Sequence, residues 1–255
     1  MTATSRIKLR HIMPSVVTVF AICAGMTAIR MSLEGHVELA LYFILLAVFL
    51  DAADGKLARF LNSASPFGAE LDTLADFFNF GIVPGVLLYN TLYIDTAYAS
   101  LGFLATLVLA VCCALRLARF NLSMKSDEMT LKKDDHFVGV PAPALACLAL
   151  MPIFMQLYGW HDTDLPVARA AYIMGVGLLA VSTIPTLSIK HASIRRAHLP
   201  FAVFAAMVLV MCLIVYPWRT LIAGDCIYLA SLPFSYLAHR KHTKALQDDH
   251  AHSLD

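Results

Sequence analysis

Eight predominantly apolar stretches, each about twenty residues long, restrict this chain's fold more than any other property of its sequence. They run over residues 13 to 32, 36 to 59, 72 to 92, 98 to 119, 137 to 158, 167 to 188, 198 to 216 and 221 to 238. About 20 apolar residues at about 1.5 Å rise each cross the hydrocarbon core of a bilayer as an α-helix. Lipid offers a backbone N–H or C=O no partner, so such stretches must satisfy their hydrogen bonds internally. The expected fold is therefore an all-α integral membrane protein, a bundle of about eight transmembrane helices over residues 13–238. A cytoplasmic segment, 1–12, precedes it and a cytoplasmic tail, 239–255, follows. Only Pro217, Trp218, Arg219 and Thr220 separate the last two stretches, and if these form one re-entrant pair the count is seven. The first stretch has no small-residue cleavage site and leads directly into the second, so it is expected to stay as a mature helix.

Composition agrees. Of 255 residues, 59% are hydrophobic and 15% charged, and mean hydropathy is +0.71. A soluble domain carries roughly 25% charged residues, which excludes an ordinary soluble enzyme and a disordered chain. Nineteen Lys and Arg against 18 Asp and Glu give a net charge of +1, without the basic excess a nucleic-acid partner requires. The six cysteines all lie inside apolar stretches with no C-x-x-C spacing, so they read as small core residues rather than a zinc site or disulfide framework.

The few charges are unevenly placed. With the N-terminus inside, the cytoplasmic side collects Arg6, Lys8, Arg10, Lys56, Arg59, Arg116, Arg119, Lys125, Lys132, Lys133, Lys190, Arg195, Arg196, Arg240, Lys241 and Lys244. The other side keeps Arg30, Arg169 and Arg219, with Glu34, Glu38, Asp95, Asp162 and Asp164 in its connections. Positive loops stay in the cytoplasm, so this alternation supports both an even span count and cytoplasmic termini.

Four acids stand against this pattern. Residues 51–76 read DAADGKLARFLNSASPFGAELDTLAD, with Asp51 and Asp54 near the end of the second stretch and Asp72 and Asp76 at the start of the third. An acid at the centre of a spanning helix costs roughly 2.5 to 3.5 kcal/mol, less towards the interface. At about 100° per residue, Asp51, Asp54, Gly55, Ala58 and Arg59 fall within an arc of about 140°, and Gly68, Asp72 and Asp76 within about 80°. Asn62, Ser63, Ser65 and Pro66 supply a turn, so the two helices form a hairpin with both acid pairs facing one cleft. Lys56 and Arg59 are too few to balance these acids and Glu70. Two hard divalent cations between the acids would balance them, in the arrangement used to clamp a phosphoryl group during in-line displacement. Gly55 and Gly68 bare the backbone for a ligand, Ala58 keeps the face low, and Arg59 offers a planar cation to phosphate. The alternatives are a solvated loop with frayed helix ends, which would not place glycines and an arginine on the acids' face, and a divalent-cation transport path, which needs neither the arginine nor acids at one depth.

This stretch resembles the signature of the CDP-alcohol phosphotransferase family, D-x2-D-G-x2-A-R-x8-G-x3-D-x3-D, with Asp51, Asp54, Gly55, Ala58, Arg59, Gly68, Asp72 and Asp76 filling every fixed position. The resemblance implies a membrane enzyme, in general a homodimer. It implies two divalent cations, Mg²⁺ or Mn²⁺, on Asp51, Asp54, Asp72 and Asp76, with Asp76 also the general base. The CDP part of the donor would lie against Gly55, Ala58, Arg59 and Gly68.

Two further segments concern the acceptor. The run from Arg116 to Asn121, R-x-A-R-F-N, and the G-x-P-x-P segment of Gly139, Pro141 and Pro143 are similar to the branch of that family whose acceptor is serine, as is Pro14 through Gly25. That resemblance implies transfer of a phosphatidyl group from CDP-diacylglycerol to L-serine, giving phosphatidylserine and CMP. Arg116, Arg119 and Asn121 are the candidate serine-binding residues, the two arginines lying about 60° apart around their helix and suited to a carboxylate. Glycerol 3-phosphate, choline and an inositol phosphate are the other acceptors the family offers. A phosphorylated one would call for more cations, and choline for an aromatic cage. A bacterial inner membrane, with the site facing the cytoplasm, is the expected location. Asp225 in the last stretch takes no role.

Overall fold

Small residues recur every three or four positions through the first apolar stretch, and they decide which helix its neighbours pack around. In the computed structural model, which describes residues 13–61, 65–127, 140–160, 165–182 and 199–232, helix α1 (Met13–Leu33) buries Pro14, Thr18, Ala21, Ala24, Gly25, Ala28 and Ser32. Short side chains let helix backbones approach closely, the main source of attraction where lipid is as apolar as the helices themselves. Helix α2 (Val37–Phe60) turns back antiparallel to α1. Gly35 makes that turn at φ +82°, a left-handed conformation that a Cβ would strain.

Ser65 starts the next helix. Its hydroxyl accepts the Gly68 N–H at 3.0 Å and Pro66 takes the first turn, so α3 (Pro66–Phe77) begins ahead of the expected start at Asp72. After α3 the backbone widens into a π segment, Phe78–Ile82, and continues as α4 (Val83–Leu92). Pro84 accounts for the widening. It has no N–H for the Phe80 carbonyl, and in a regular α-helix its ring would collide with that carbonyl.

Three pairings fix how this long helix lies on α1. Gly68 faces Ser15, Asn79 reaches the surface of Gly25, and the Asn90 amide donates to the Ser32 carbonyl at 2.7 Å. The order is the same along both chains, so α1 and α3–α4 are parallel neighbours. Because α2 is antiparallel to both, the end of α2 and the start of α3 share one end of the bundle.

The remaining helices are α5 (Ala99–Asp127), α6 (Ala142–Leu157), α7 (Pro166–Val181), α8 (Leu199–Val215) and α9 (residues 217–232). Helices α5 and α7 cross closely at Gly177, where a Cβ would stand 3.2 Å from the Leu109 Cα. The Tyr93 hydroxyl donates to the Pro166 carbonyl at 3.1 Å, tying the end of α4 to the start of α7. At that same end Trp218 Nε1 donates to Glu38 at 3.1 Å, and its ring stacks on Phe154 at 5.9 Å between centroids.

Residues Pro217 to Thr220, expected as a connection, instead form the first turn of α9, because proline is accommodated there without a missing bond. The break falls at Tyr216 alone. The Thr220 hydroxyl reaches the Tyr216 carbonyl at 2.8 Å and the Cys212 carbonyl at 3.0 Å. Eight residues of straight helix would separate the latter pair by about 12 Å, so α8 and α9 bend sharply there.

Every described element is helical, and no strand occurs among the described residues. Met13–Leu33, Pro66–Leu92 and Ala99–Leu122 are long and apolar enough to cross a membrane, while α6 and α7 are apolar and 16 residues long. Outward-facing Phe201 and Ile214 on α8 are 74% and 70% exposed, a surface suited to lipid. The turn residues Asn62 and Ser63, Gly139, the loop cations Lys132, Lys133, Lys190, Arg195 and Arg196, and both terminal segments lie outside the described residues.

Candidate active site

The hairpin end shared by α2 and α3 is where all four acids meet. One carboxylate oxygen from each of Asp51, Asp54 and Asp72 lies within 4.8 Å of the others. Asp76 adjoins Asp51, close enough for the two carboxyl groups to interact. At that separation like charges repel by about 3.5 kcal/mol per pair at an effective dielectric constant of about 20. A single arginine, Arg116 beside Asp76, does not offset such a cluster.

Asp54 is the most enclosed of the four, at 3% exposure. Its Oδ2 accepts the Thr18 hydroxyl at 2.6 Å, while its Oδ1 is buried with no hydrogen-bond partner. A buried acceptor left unpaired costs about 1 to 3 kcal/mol, more for a charged group. An all-carboxylate donor set with an orphaned inner oxygen fits a hard divalent cation such as Mg²⁺ or Mn²⁺.

Beside the acids is a cavity of about 190 Å³ between three helices. Pro14, Ser15 and Thr18 line it from α1, Asp54, Gly55 and Ala58 from α2, and Ser65, Gly68, Ala69 and Asp72 from the α3 side. Nothing lies within 4 Å of the point where a Cβ on Gly55 would stand, so the α2 backbone there is open to a ligand. At Gly68 a Cβ would come 3.1 Å from the Ser65 hydroxyl that caps α3, so this glycine also protects the cap. Arg59 folds back along α2, its Nε donating to the Gly55 carbonyl at 3.0 Å. The motif's glycines and alanine thus share one cavity wall with two of the acids, and the guanidinium lies on the same helix face.

The three candidate acceptor residues on α5 separate. Arg116 is half-buried, interacts with Asp76, and has a buried Nε without a partner. Arg119 is exposed and donates to the Val181 carbonyl at 3.2 Å, closing the C-terminal end of α7. Asn121 donates to the Thr73 hydroxyl at 3.1 Å, which ties α5 to α3. Of the three, the structure brings only Arg116 to the acids with a donor to spare. Ser15 and Thr18 were not singled out from the sequence, and the stripe of small residues through α1 is the signal that marks their helix as a close-packed one.

A family model described as CDP-alcohol phosphatidyltransferase matches residues 11–181. A CDP-diacylglycerol--serine O-phosphatidyltransferase from Mycobacterium leprae is 34% identical over 230 residues, covering 88% of this chain and 74% of its own. A protein of the same name from Bacillus subtilis is 32% identical over 172 residues, covering 67% of this chain and 87% of its own. Another, from Methanocaldococcus jannaschii, is 32% identical over 169 residues, covering 66% and 70%.

Proposed function

Because this chain belongs to the CDP-alcohol phosphatidyltransferase family, we propose that it transfers the phosphatidyl group of CDP-diacylglycerol to the hydroxyl of L-serine, giving phosphatidylserine and CMP. The observation that carries this reading is the convergence of the Asp51, Asp54 and Asp72 carboxylates within 4.8 Å, beside a cavity walled by Gly55, Ala58 and Gly68. The relatives named for serine transfer supply the acceptor.

Asp51, Asp54, Asp72 and Asp76 would hold two divalent cations, Mg²⁺ or Mn²⁺, which when bound neutralise the donor's diphosphate and polarise the phosphorus under attack. Thr18 fixes the orientation of Asp54 from the neighbouring helix. Gly55, Ala58 and Gly68 admit the nucleotide against bare helix, and Arg59 offers its guanidinium to phosphate oxygens. Arg116 binds the serine carboxylate and turns the hydroxyl towards Asp76, which accepts its proton as the new phosphorus–oxygen bond forms. The bond between the two phosphates breaks and CMP leaves. Arg119 and Asn121 act at one remove, holding α5 against α7 and α3. Positioning and charge neutralisation are the main contributions a protein makes to such a transfer.

In this reading the chain crosses a bacterial inner membrane eight times, within residues 13–238, as a homodimer with its termini and acids on the cytoplasmic side. The distribution of Lys and Arg supports the orientation, and the family resemblance supports the dimer. The donor's acyl chains then stay in the inner leaflet while soluble serine arrives from the cytoplasm.

Purified protein in lipid nanodiscs, given CDP-diacylglycerol, labelled serine and Mn²⁺, should form labelled phosphatidylserine and one CMP per lipid. Product from glycerol 3-phosphate but none from serine overturns the acceptor. Mn²⁺ flux into sealed vesicles without CMP release overturns the enzyme in favour of a transporter.

A further inference from the structure

The last helix brings a group to the site that the family signature does not contain. Helix α9 buries Trp218, Asp225 and Leu232, seven residues apart and therefore on one face, and Tyr228 stands on that face one turn beyond Asp225. The far end of the helix is fixed in rotation by the bond from Trp218 to Glu38 and by the stacking of Trp218 on Phe154. At the near end the Tyr228 hydroxyl is buried with no hydrogen-bond partner and interacts with Arg116. Arg116 Nε is likewise buried and unpartnered, and the same guanidinium interacts with Asp76.

Two buried donors without acceptors therefore lie within electrostatic reach of each other, and one of them interacts with the acid proposed to take the acceptor's proton. Each is costly when left unpaired, and a planar anion with two acceptor oxygens would satisfy both at once. Arg119 and Asn121, by contrast, already have protein partners. Resting on the serine reading above, we propose that Tyr228 determines acceptor specificity: its hydroxyl donates to one oxygen of the serine carboxylate while Arg116 binds the other. The subsite is then built by α5 and α9 together. Residues 217–232 lie outside the 11–181 matched by the family model, so the acceptor is chosen partly by a helix that the signature does not reach.

Steady-state kinetics of Tyr228→Phe in the full-length protein tests this, with each substrate varied in turn at saturating Mn²⁺. The KM for serine should rise about 10-fold or more, as for loss of one hydrogen bond to a charged group. The KM for CDP-diacylglycerol should not move, and the thermal midpoint without serine should hold or rise, because the variant loses a buried hydroxyl that has no partner. A serine KM within twofold of the unsubstituted protein overturns the proposal, and so does an equal rise in both KM values, which marks a structural role. Serine methyl ester, which lacks the carboxylate, should be at least about 10-fold poorer with the unsubstituted protein, and that preference should shrink in Tyr228→Phe. Equal use of ester and serine by the unsubstituted protein overturns the subsite whether or not the variant folds. Failure to make any lipid from serine overturns the acceptor reading and this inference together, whereas serine turnover with an unmoved KM in the variant overturns this inference alone.

Discussion

Asp54 and Asp76 are chemically identical side chains in one cluster, both proposed to hold metal, and their surroundings suit only Asp76 to a second task. Asp54 is buried and pinned by Thr18, with one oxygen left over, as suits a ligand whose position must not vary. Asp76 adjoins Asp51 on one side and Arg116 on the other, where the acceptor's hydroxyl would arrive. Substitutions at the two sites should therefore fail differently. Thr18→Val keeps the shape and removes the donor, so the half-saturating Mn²⁺ concentration should rise about 10-fold, with turnover restored at high Mn²⁺. Asp76→Asn should lower kcat by about 10² to 10⁴, the usual contribution of a general base, and Mn²⁺ should not restore it. Activity titrated with Mn²⁺ in both variants separates the roles, and rescue of Asp76→Asn by metal would refute the base. The convergence of Asp51, Asp54 and Asp72 was legible in the sequence because spacing along a helix converts directly into position on its face. Thr18 was not, since it lies 36 residues from Asp54 and no local rule pairs them.

At the scale of elements, hydropathy located the helices and misplaced the starts of α3, α6 and α9, with α6 beginning at Ala142 after Pro141 and not at 137. Apolar content reports depth in lipid, whereas a helix begins where a cap or a proline starts it. Ser65 and Pro66 therefore start α3 in a polar stretch, and Pro217 starts α9 where a loop was expected. The π segment was equally hidden, though Pro84, two residues past its end, is its visible cause. Close helix approaches carry a stability prediction that is separate from the chemistry. A Cβ on Gly102 would fall 2.5 Å from the Tyr93 Cβ and still nearer its ring, and Tyr93 is 1% exposed and bonded to the Pro166 carbonyl. Gly102→Ala should therefore lose about 1 to 3 kcal/mol through overpacking where α4, α5 and α7 meet. Because that junction is at the end remote from the acids, both KM values of the folded fraction should stay within twofold. Thermal unfolding in detergent and kinetics on the surviving fraction check this, and an unchanged midpoint would show that the junction yields.

Across the whole molecule, the scarcity of charge makes its distribution informative. The end holding the acids is also the end where Lys56, Arg59, Arg116 and Arg119 gather. The opposite end's cations are engaged locally: Arg30 pairs with Glu34 at 2.8 Å, Arg219 lies over the Tyr158 ring at 4.8 Å, and Arg169 interacts with Tyr93. The bias of Lys and Arg towards one end orients a bundle during insertion, whatever partners those cations find once it has folded. Orientation in turn decides whether the site can meet soluble serine and CMP on the side where the cell keeps them. A protein with its six cysteines replaced, carrying either Phe67→Cys beside the acids or His36→Cys in the α1–α2 turn, can report it, since both positions are exposed. A charged, membrane-impermeant maleimide should label His36→Cys in intact bacterial cells and leave Phe67→Cys untouched. In inside-out vesicles the pattern should reverse. Labelling of Phe67→Cys from outside would put the acids on the wrong side for cytoplasmic substrates. Labelling of both positions from one side would mean that α2 does not cross the bilayer, and the acid hairpin would then have to be rebuilt at the membrane surface.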